Sequence, residues 1–238
     1  MNRFVLSGSV VSTLVFAALT VPVVAAPITV PNASFESSTV GAGSTDFGNT
    51  PNFAYTGVSP AITRGDTVRP ATALGGQDGN YIGAIALDNN DGSSTTPNNS
   101  TGQLTSDSLG VFAANTVYTL TVAQARTTGY GGGVINVGFG FSANGVLTAT
   151  SLRDYNDLSD TAFADFSTIV STVDSPGLVG QDLRVALLAN STYDFGRSSY
   201  FDNIRLDASP AVAVVPEPAT LGLLALGMMA VVVVRRRK

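Results

Sequence analysis

Apolar and polar residues alternate in five stretches of the chain. In 117–123, Tyr118, Leu120 and Val122 fall on one face of an extended strand. In 134–141, Ile135, Val137, Phe139 and Phe141 share a face, and Asn136, Gly138 and Gly140 take the other. Residues 81–87, 183–188 and 200–206 carry the same period. Clusters of Gly, Asn, Asp, Ser and Thr separate these runs, as turns do. Residues 161–170 have a mixed period, set by Ala162, Phe163, Phe166 and Ile169, which fits a strand or a short helix. No long amphipathic helix and no internal repeat is present. The pattern predicts an all-β sandwich of about eight to ten strands. The polar stretches 37–52 and 88–102 read as loops or as an irregular face of that sandwich.

Both ends of the chain break the alternation. Residues 1–26 open with Arg3, continue as an apolar run and end in Ala25 and Ala26, the layout of a secretory signal peptide. Cleavage after Ala25 keeps Pro27 clear of the cut. At the other end, 221–234 hold fourteen residues without a polar side chain, followed by Arg235, Arg236, Arg237 and Lys238. A membrane helix needs about 20 residues, so this run spans only with strain, and the cations act as its cytoplasmic stop. A permanent tail anchor and a temporary hold for processing are both consistent with it. The chain thus divides into a signal peptide at 1–25, a sandwich at 26–210 and a C-terminal signal at 211–238, with its helix at 219–234 and its basic tail at 235–238.

Composition narrows the chemistry of the body. There is no Cys, His or Trp, and the body has no Lys. Disulfides, zinc, haem, thiol chemistry and a Ser-His-Asp triad are excluded. Between residues 27 and 218 stand seven arginines against seventeen acids, a net charge near −10. Such a surface repels nucleic acid and anionic lipid and attracts cations.

Pro216, Glu217 and Pro218, then a short apolar helix, then a basic cluster, resemble a PEP-CTERM sorting signal. The resemblance implies a Gram-negative host and removal of the signal peptide by signal peptidase. It also implies transient residence in the inner membrane and recognition by an exosortase, which cuts near the motif. The body is then passed to the cell surface or an extracellular polysaccharide matrix. The prolines keep the segment extended and non-helical, as a protease substrate must be.

Three body segments add a second resemblance. Residues 28–36 read ITVPNASFE, 76–81 read GQDGNY and 199–206 read SYFDNIRL. Together they resemble the galactose-binding-like jelly rolls of carbohydrate-binding modules, which implies a jelly-roll β-sandwich. First and last strands lie close in a jelly roll. That places Phe35 and Phe201 in the core and makes Glu36 and Asp202 neighbouring carboxylates. Close carboxylates repel unless protonated or bridged by a cation, and hard oxygen ligands suit Ca²⁺. The resemblance implies the same structural calcium. The alternative is hydrogen bonding to backbone, or pairing with Arg197 or Arg205. Asp88, Asn89, Asn90 and Asp91 miss the spacing of an EF-hand and read as a turn. Asp154, Asp157 and Asp160 read as a solvated face.

Sugar binding needs aromatic platforms. Tyr55, Tyr130, Tyr155 and Tyr193 lie in polar surroundings, and 130, 155 and 193 are the candidate ligand-binding residues. The glycines at 131–133 permit close approach beside Tyr130. No acid stands in a catalytic motif. The sequence therefore points to an exosortase-sorted surface or matrix protein with a non-catalytic sandwich that binds polysaccharide. The competing readings are a secreted glycoside hydrolase using two carboxylates and a permanently tail-anchored envelope protein.

Overall fold

The computed structural model describes residues 25–58, 62–88, 97–127, 135–193 and 197–211. Both ends of the chain, including the signal peptide and the 216–218 motif, lie outside these residues. Among those described, no helix is long and apolar enough to cross a membrane.

Twelve strands are found among the described residues, in the order β1 (Ala26–Ile28), β2 (Ser44–Asp46), β3 (Phe53–Val58), β4 (Ile62–Arg69), β5 (Ile82–Asp88), β6 (Pro97–Ser106), β7 (Thr116–Arg126), β8 (Ile135–Ala143), β9 (Val146–Asp154), β10 (Ala164–Ser171), β11 (Leu183–Tyr193) and β12 (Arg197–Pro210). They form two antiparallel sheets. One runs β10-β7-β12-β5-β4-β2, with β1 added alongside β12; the other runs β3-β6-β11-β8-β9. This is the expected all-β sandwich, and first and last strands do pair: Ala26 opposes Ala208 and Ile28 opposes Leu206. The sandwich lies within a single compact unit, Val24–Ala211, which holds both sheets and every described core residue.

The alternating faces point as their period requires. Tyr118, Leu120 and Val122 of β7, and Val137, Phe139 and Phe141 of β8, are buried between the sheets. Residues 164–171 are a strand, so tertiary pairing with β7 resolves their mixed period.

Of the two readings of the polar stretches, loops or an irregular face of the sandwich, the second holds where strands are found. The stretch 37–52 contains the short strand β2, and 97–102 belong to β6. β6 escapes the alternation rule because its inward positions carry little apolar bulk. Its inward Leu104 is buried, but at the inward Gly102 a Cβ would stand 2.6 Å from Ile85 Cγ2. Ile85 of β5, in the facing sheet, fills the space that a side chain would take, so the sequence of β6 looks polar throughout.

Candidate functional site: an acid cluster and an uncharged cleft

The three segments singled out in the sequence meet in space. Asn32 and Asn203 both have left-handed backbones, with φ of 53° and 45°. Asn tolerates this because its short side chain bonds locally: Asn32 Oδ1 accepts from the Ser37 N–H at 3.0 Å. Asn203 lies where the register of β12 against β7 shifts between Asp202 and Arg205, a bulge of the kind that re-aims side chains. The freed N–H of Ile204 donates to Ala33 O at 3.1 Å, locking the opening segment onto the closing strand.

The third segment enters between them. Residues 70–81 connect β4 to β5 by way of Thr161–Phe163, where Gly75 N–H donates to Thr161 O and Phe163 N–H donates to Gly75 O. The segment then delivers backbone N–H groups to both acids. Asp78 N–H donates to Asp202 Oδ2 at 2.7 Å, and Asn203 N–H donates to Oδ1 at 2.7 Å. Asn80 and Tyr81 N–H donate to Glu36 Oε1 at 2.8 and 2.7 Å. Ser34 Oγ donates to Asp78 Oδ2 at 2.6 Å. Glu36 is exposed and Asp202 is fully buried.

Burial pushes the Asp202 carboxyl up to about 7, the neighbouring charges of Asp78 and Glu36 push the same way, and the two backbone N–H donors oppose them. Glu36 and Asp202 thus stand close enough for their charges to interact, each bonded to backbone. Arg205 is engaged elsewhere, with Asp165. Among the described residues no three acids stand at metal-ligand geometry.

The tyrosines separate. Tyr155 corrects the sequence expectation: it is 2% exposed, so its ring offers no face to a sugar. Its surroundings look polar in sequence because its hydroxyl is what they hold, bonded to Thr127 Oγ1 at 2.7 Å and accepting from Thr127 N–H at 3.1 Å. Asp154 caps the 3₁₀ turn that carries it, accepting from Asn156 N–H at 2.8 Å. Tyr55 is half-buried and packs against the core. Tyr193 ends β11, and Tyr130 lies outside the described residues.

A cleft that the sequence did not reveal lies on the outer face of the five-stranded sheet. It has a volume of about 330 Å³ and is lined by Thr56, Thr101, Gln103, Leu147, Leu188 and Asn190, with the backbone of Gly57 and Gly102. The sheet register sets these side chains in rows: Thr56 opposes Gln103, Gln103 opposes Leu188, and Thr101 opposes Asn190. Gln103 Nε2 donates to Thr105 Oγ1 at 2.7 Å, which fixes its amide. Hydroxyls, amides and two leucines line this surface, and among the described residues no charged side chain does. The signal that marks it is the T-x-Q-x-T alternation of residues 101–105, hidden because the inward positions of β6 are weak.

A family model described as HpiC1 cyclase matches residues 26–207, and one described as the PEP-CTERM protein-sorting motif matches residues 214–238. The C-terminal signal is therefore a PEP-CTERM motif, which implies export and exosortase processing. No curated protein matches the chain. Among solved structures, a cyclase from Fischerella sp. TAU is 22% identical, with 80% of this chain and 100% of that chain covered and a TM-score of 0.58. A Stig cyclase from Fischerella sp. TAU, solved with (3Z)-3-(1-methyl-2-pyrrolidinylidene)-3H-indole, is 20% identical over 79% of this chain and 100% of that chain, with a TM-score of 0.57. TmCBM61, solved with beta-1,4-galactotriose, is 12% identical over 74% of this chain and 94% of that chain, with a TM-score of 0.45. The cyclases share the sandwich fold.

Proposed function

The chain belongs to the HpiC1-like family, and we propose that this member is an exported surface or matrix protein whose sandwich binds uncharged polysaccharide without transforming it. The observation that carries the reading is the uncharged outer-face cleft, on a chain that ends in a sorting motif. Hydroxyls and amides offer both donors and acceptors to sugar hydroxyls, and Leu147 and Leu188 offer apolar contact to the C–H face of a sugar ring. The acidic body disfavours anionic polymers at long range. In this reading an exosortase cuts near residues 216–218 in the inner membrane of a Gram-negative bacterium, and the body passes to the surface matrix.

The family's description supplies a second reading, a cyclase. Asp202 favours it, because an acid that holds its proton to about pH 7 has the titration of a general acid. Against it, both carboxylate oxygens accept backbone N–H groups and the side chain is fully buried, the setting of a structural acid rather than one presented to a substrate. Binding is therefore preferred over turnover.

The acid cluster supports a structural calcium as part of the same proposal. The charges of Asp78 and Glu36 act on the buried Asp202 carboxyl, and the hard oxygens of these acids suit that ion. Glu36 and Asp202 would hold it. When bound there, Ca²⁺ would supply the charge that lets neighbouring carboxylates stay ionised.

A glycan array probed with residues 24–211 tests the function. Specific capture by neutral glycans, reduced at least tenfold by Gln103→Ala, is expected. Absence of capture overturns the binding reading, and chemical change of a captured glycan overturns the non-catalytic one.

A further inference from the structure

We propose that Gln124, Arg126 and Arg153 form a binding site for a small hydroxy-carboxylate, between the sheets at the end of the sandwich where β7 and β9 finish. This site is independent of the outer-face cleft.

Gln124 and Arg126 continue the inward face of β7, in phase with Leu120 and Val122. Gln124 opposes Phe201 of β12, and Arg126 opposes Ser199. Arg153 comes from the other sheet, opposite the buried Val137 of β8. Tyr155, two residues after Arg153, ties the two sides together: its hydroxyl bonds Thr127, just past β7. All three polar side chains therefore face the inter-sheet space at one end.

Several of their polar atoms are buried without partners. Gln124 is fully buried, and neither its Oε1 nor its Nε2 has a hydrogen-bond partner. The Nε atoms of Arg126 and Arg153 are likewise buried and unpartnered. Arg126 sits over the Tyr155 ring at 5.7 Å. Arg153 sits over Phe166 at 3.4 Å and Phe139 at 5.7 Å, and Nη2 donates to Ser151 Oγ at 2.8 Å. Asp157 is near enough to act on Arg153 as a charge, but forms no ion pair with it. The remaining described ion pairs employ Arg184 and Arg205.

Buried polar groups in folded proteins are nearly always satisfied, so a buried amide and two buried Nε–H groups without partners at one end of the sandwich call for one. A guanidinium held over a ring donates from its edge, and a carboxylate is the planar acceptor that matches that edge. A carboxamide needs an acceptor and a donor at once, which the same ligand meets with a carboxylate oxygen and a hydroxyl. A neutral sugar would leave the guanidinium charge uncompensated.

Isothermal titration calorimetry of residues 24–211, a unit that holds its own core, decides the matter. The probes are D-glucuronate and L-malate, with glucose and inorganic phosphate as controls. The carboxylates should bind, glucose should not, and phosphate should bind at least tenfold more weakly. Gln124→Leu and Arg126→Gln should each weaken carboxylate binding at least tenfold, whereas Gln103→Ala in the outer cleft should leave it unchanged. Gln124→Leu should also keep or raise the Tm without ligand, because it removes an orphaned amide. No binding of either carboxylate, equal binding by the Gln124 variant, or tighter phosphate binding overturns the site. A marked fall in Tm for Gln124→Leu also overturns it, because the amide would then serve the fold.

Discussion

The backbone N–H of Asp78 donates to Oδ2 of Asp202 across 124 residues of chain, at 2.7 Å. This bond places a loop residue over a buried carboxyl whose titration is pushed up to about 7, chiefly by burial. An acid with a raised pKa binds its proton more tightly in the folded state. Its favourable contribution is therefore complete at low pH and is lost as pH rises from the ordinary aspartate range through about 7. Without calcium, the stability of residues 24–211 should rise as pH falls from 8 to 5, by at most about 1.4 kcal/mol per pH unit from this group, and the Tm should rise with it. Asp202→Asn should flatten the profile. A wild-type profile already flat between pH 5 and 8 contradicts the assignment.

Calcium supplies the complementary measurement. A site present only in the folded state stabilises by about 2.7 kcal/mol at 100 times its dissociation constant. For a domain of this size that is a rise of roughly 5–10 °C in Tm. Calorimetry should show this rise with calcium and lose it with chelator. Asp202→Asn should weaken the effect. Equal melting temperatures with calcium, magnesium and chelator would remove the ion from the account.

Phe35 and Gly83 are matched. The Phe35 backbone is left-handed at φ 58°, unusual for a bulky residue, and its ring takes the space beside Gly83, where a Cβ would stand 2.3 Å from Cζ. Gly83→Ala should cost about 1–3 kcal/mol through overpacking, read as a lowered urea midpoint at unchanged m-value. Phe35→Leu in the same chain should recover part of the Gly83→Ala loss.

The Tyr155 hydroxyl joins the turn after β9 to Thr127. Tyr155→Phe keeps the ring in the core and leaves the Thr127 N–H without its acceptor, a loss of about 1–3 kcal/mol. Hydrogen exchange should quicken at the Thr127 amide far more than in the centre of β7. Uniform quickening would mean that the hydroxyl stabilises the whole fold rather than this junction.

Replacing Pro216, Glu217 and Pro218 with alanine should leave export intact and block processing. Mass spectrometry should then find the intact C-terminus in the inner-membrane fraction. Normal trimming of the variant would show that the motif does not direct the cut.

Much of the fold was legible because sandwich strands alternate by geometry: β7 and β8 announce their buried faces residue by residue. β6 did not, since its core contribution is made by Ile85 reaching over Gly102. The cleft stayed hidden with it, because threonine, glutamine and asparagine spread over three strands form a surface only once the register is set. The acids were legible as residues; their partners were not, because the N–H groups of Asp78, Asn80 and Tyr81 carry no side-chain signature.

The sequence alone determined the strand faces, the acidic and cysteine-free body and the C-terminal sorting motif, all of which depend on local order and composition. Tertiary structure decided which acid is buried, which tyrosine is lost to the core and where Gln124 points. Burial and hydrogen-bond partners are set by residues distant in the chain: Asp202 is covered by the segment that carries Asp78, and Tyr155 is held by Thr127.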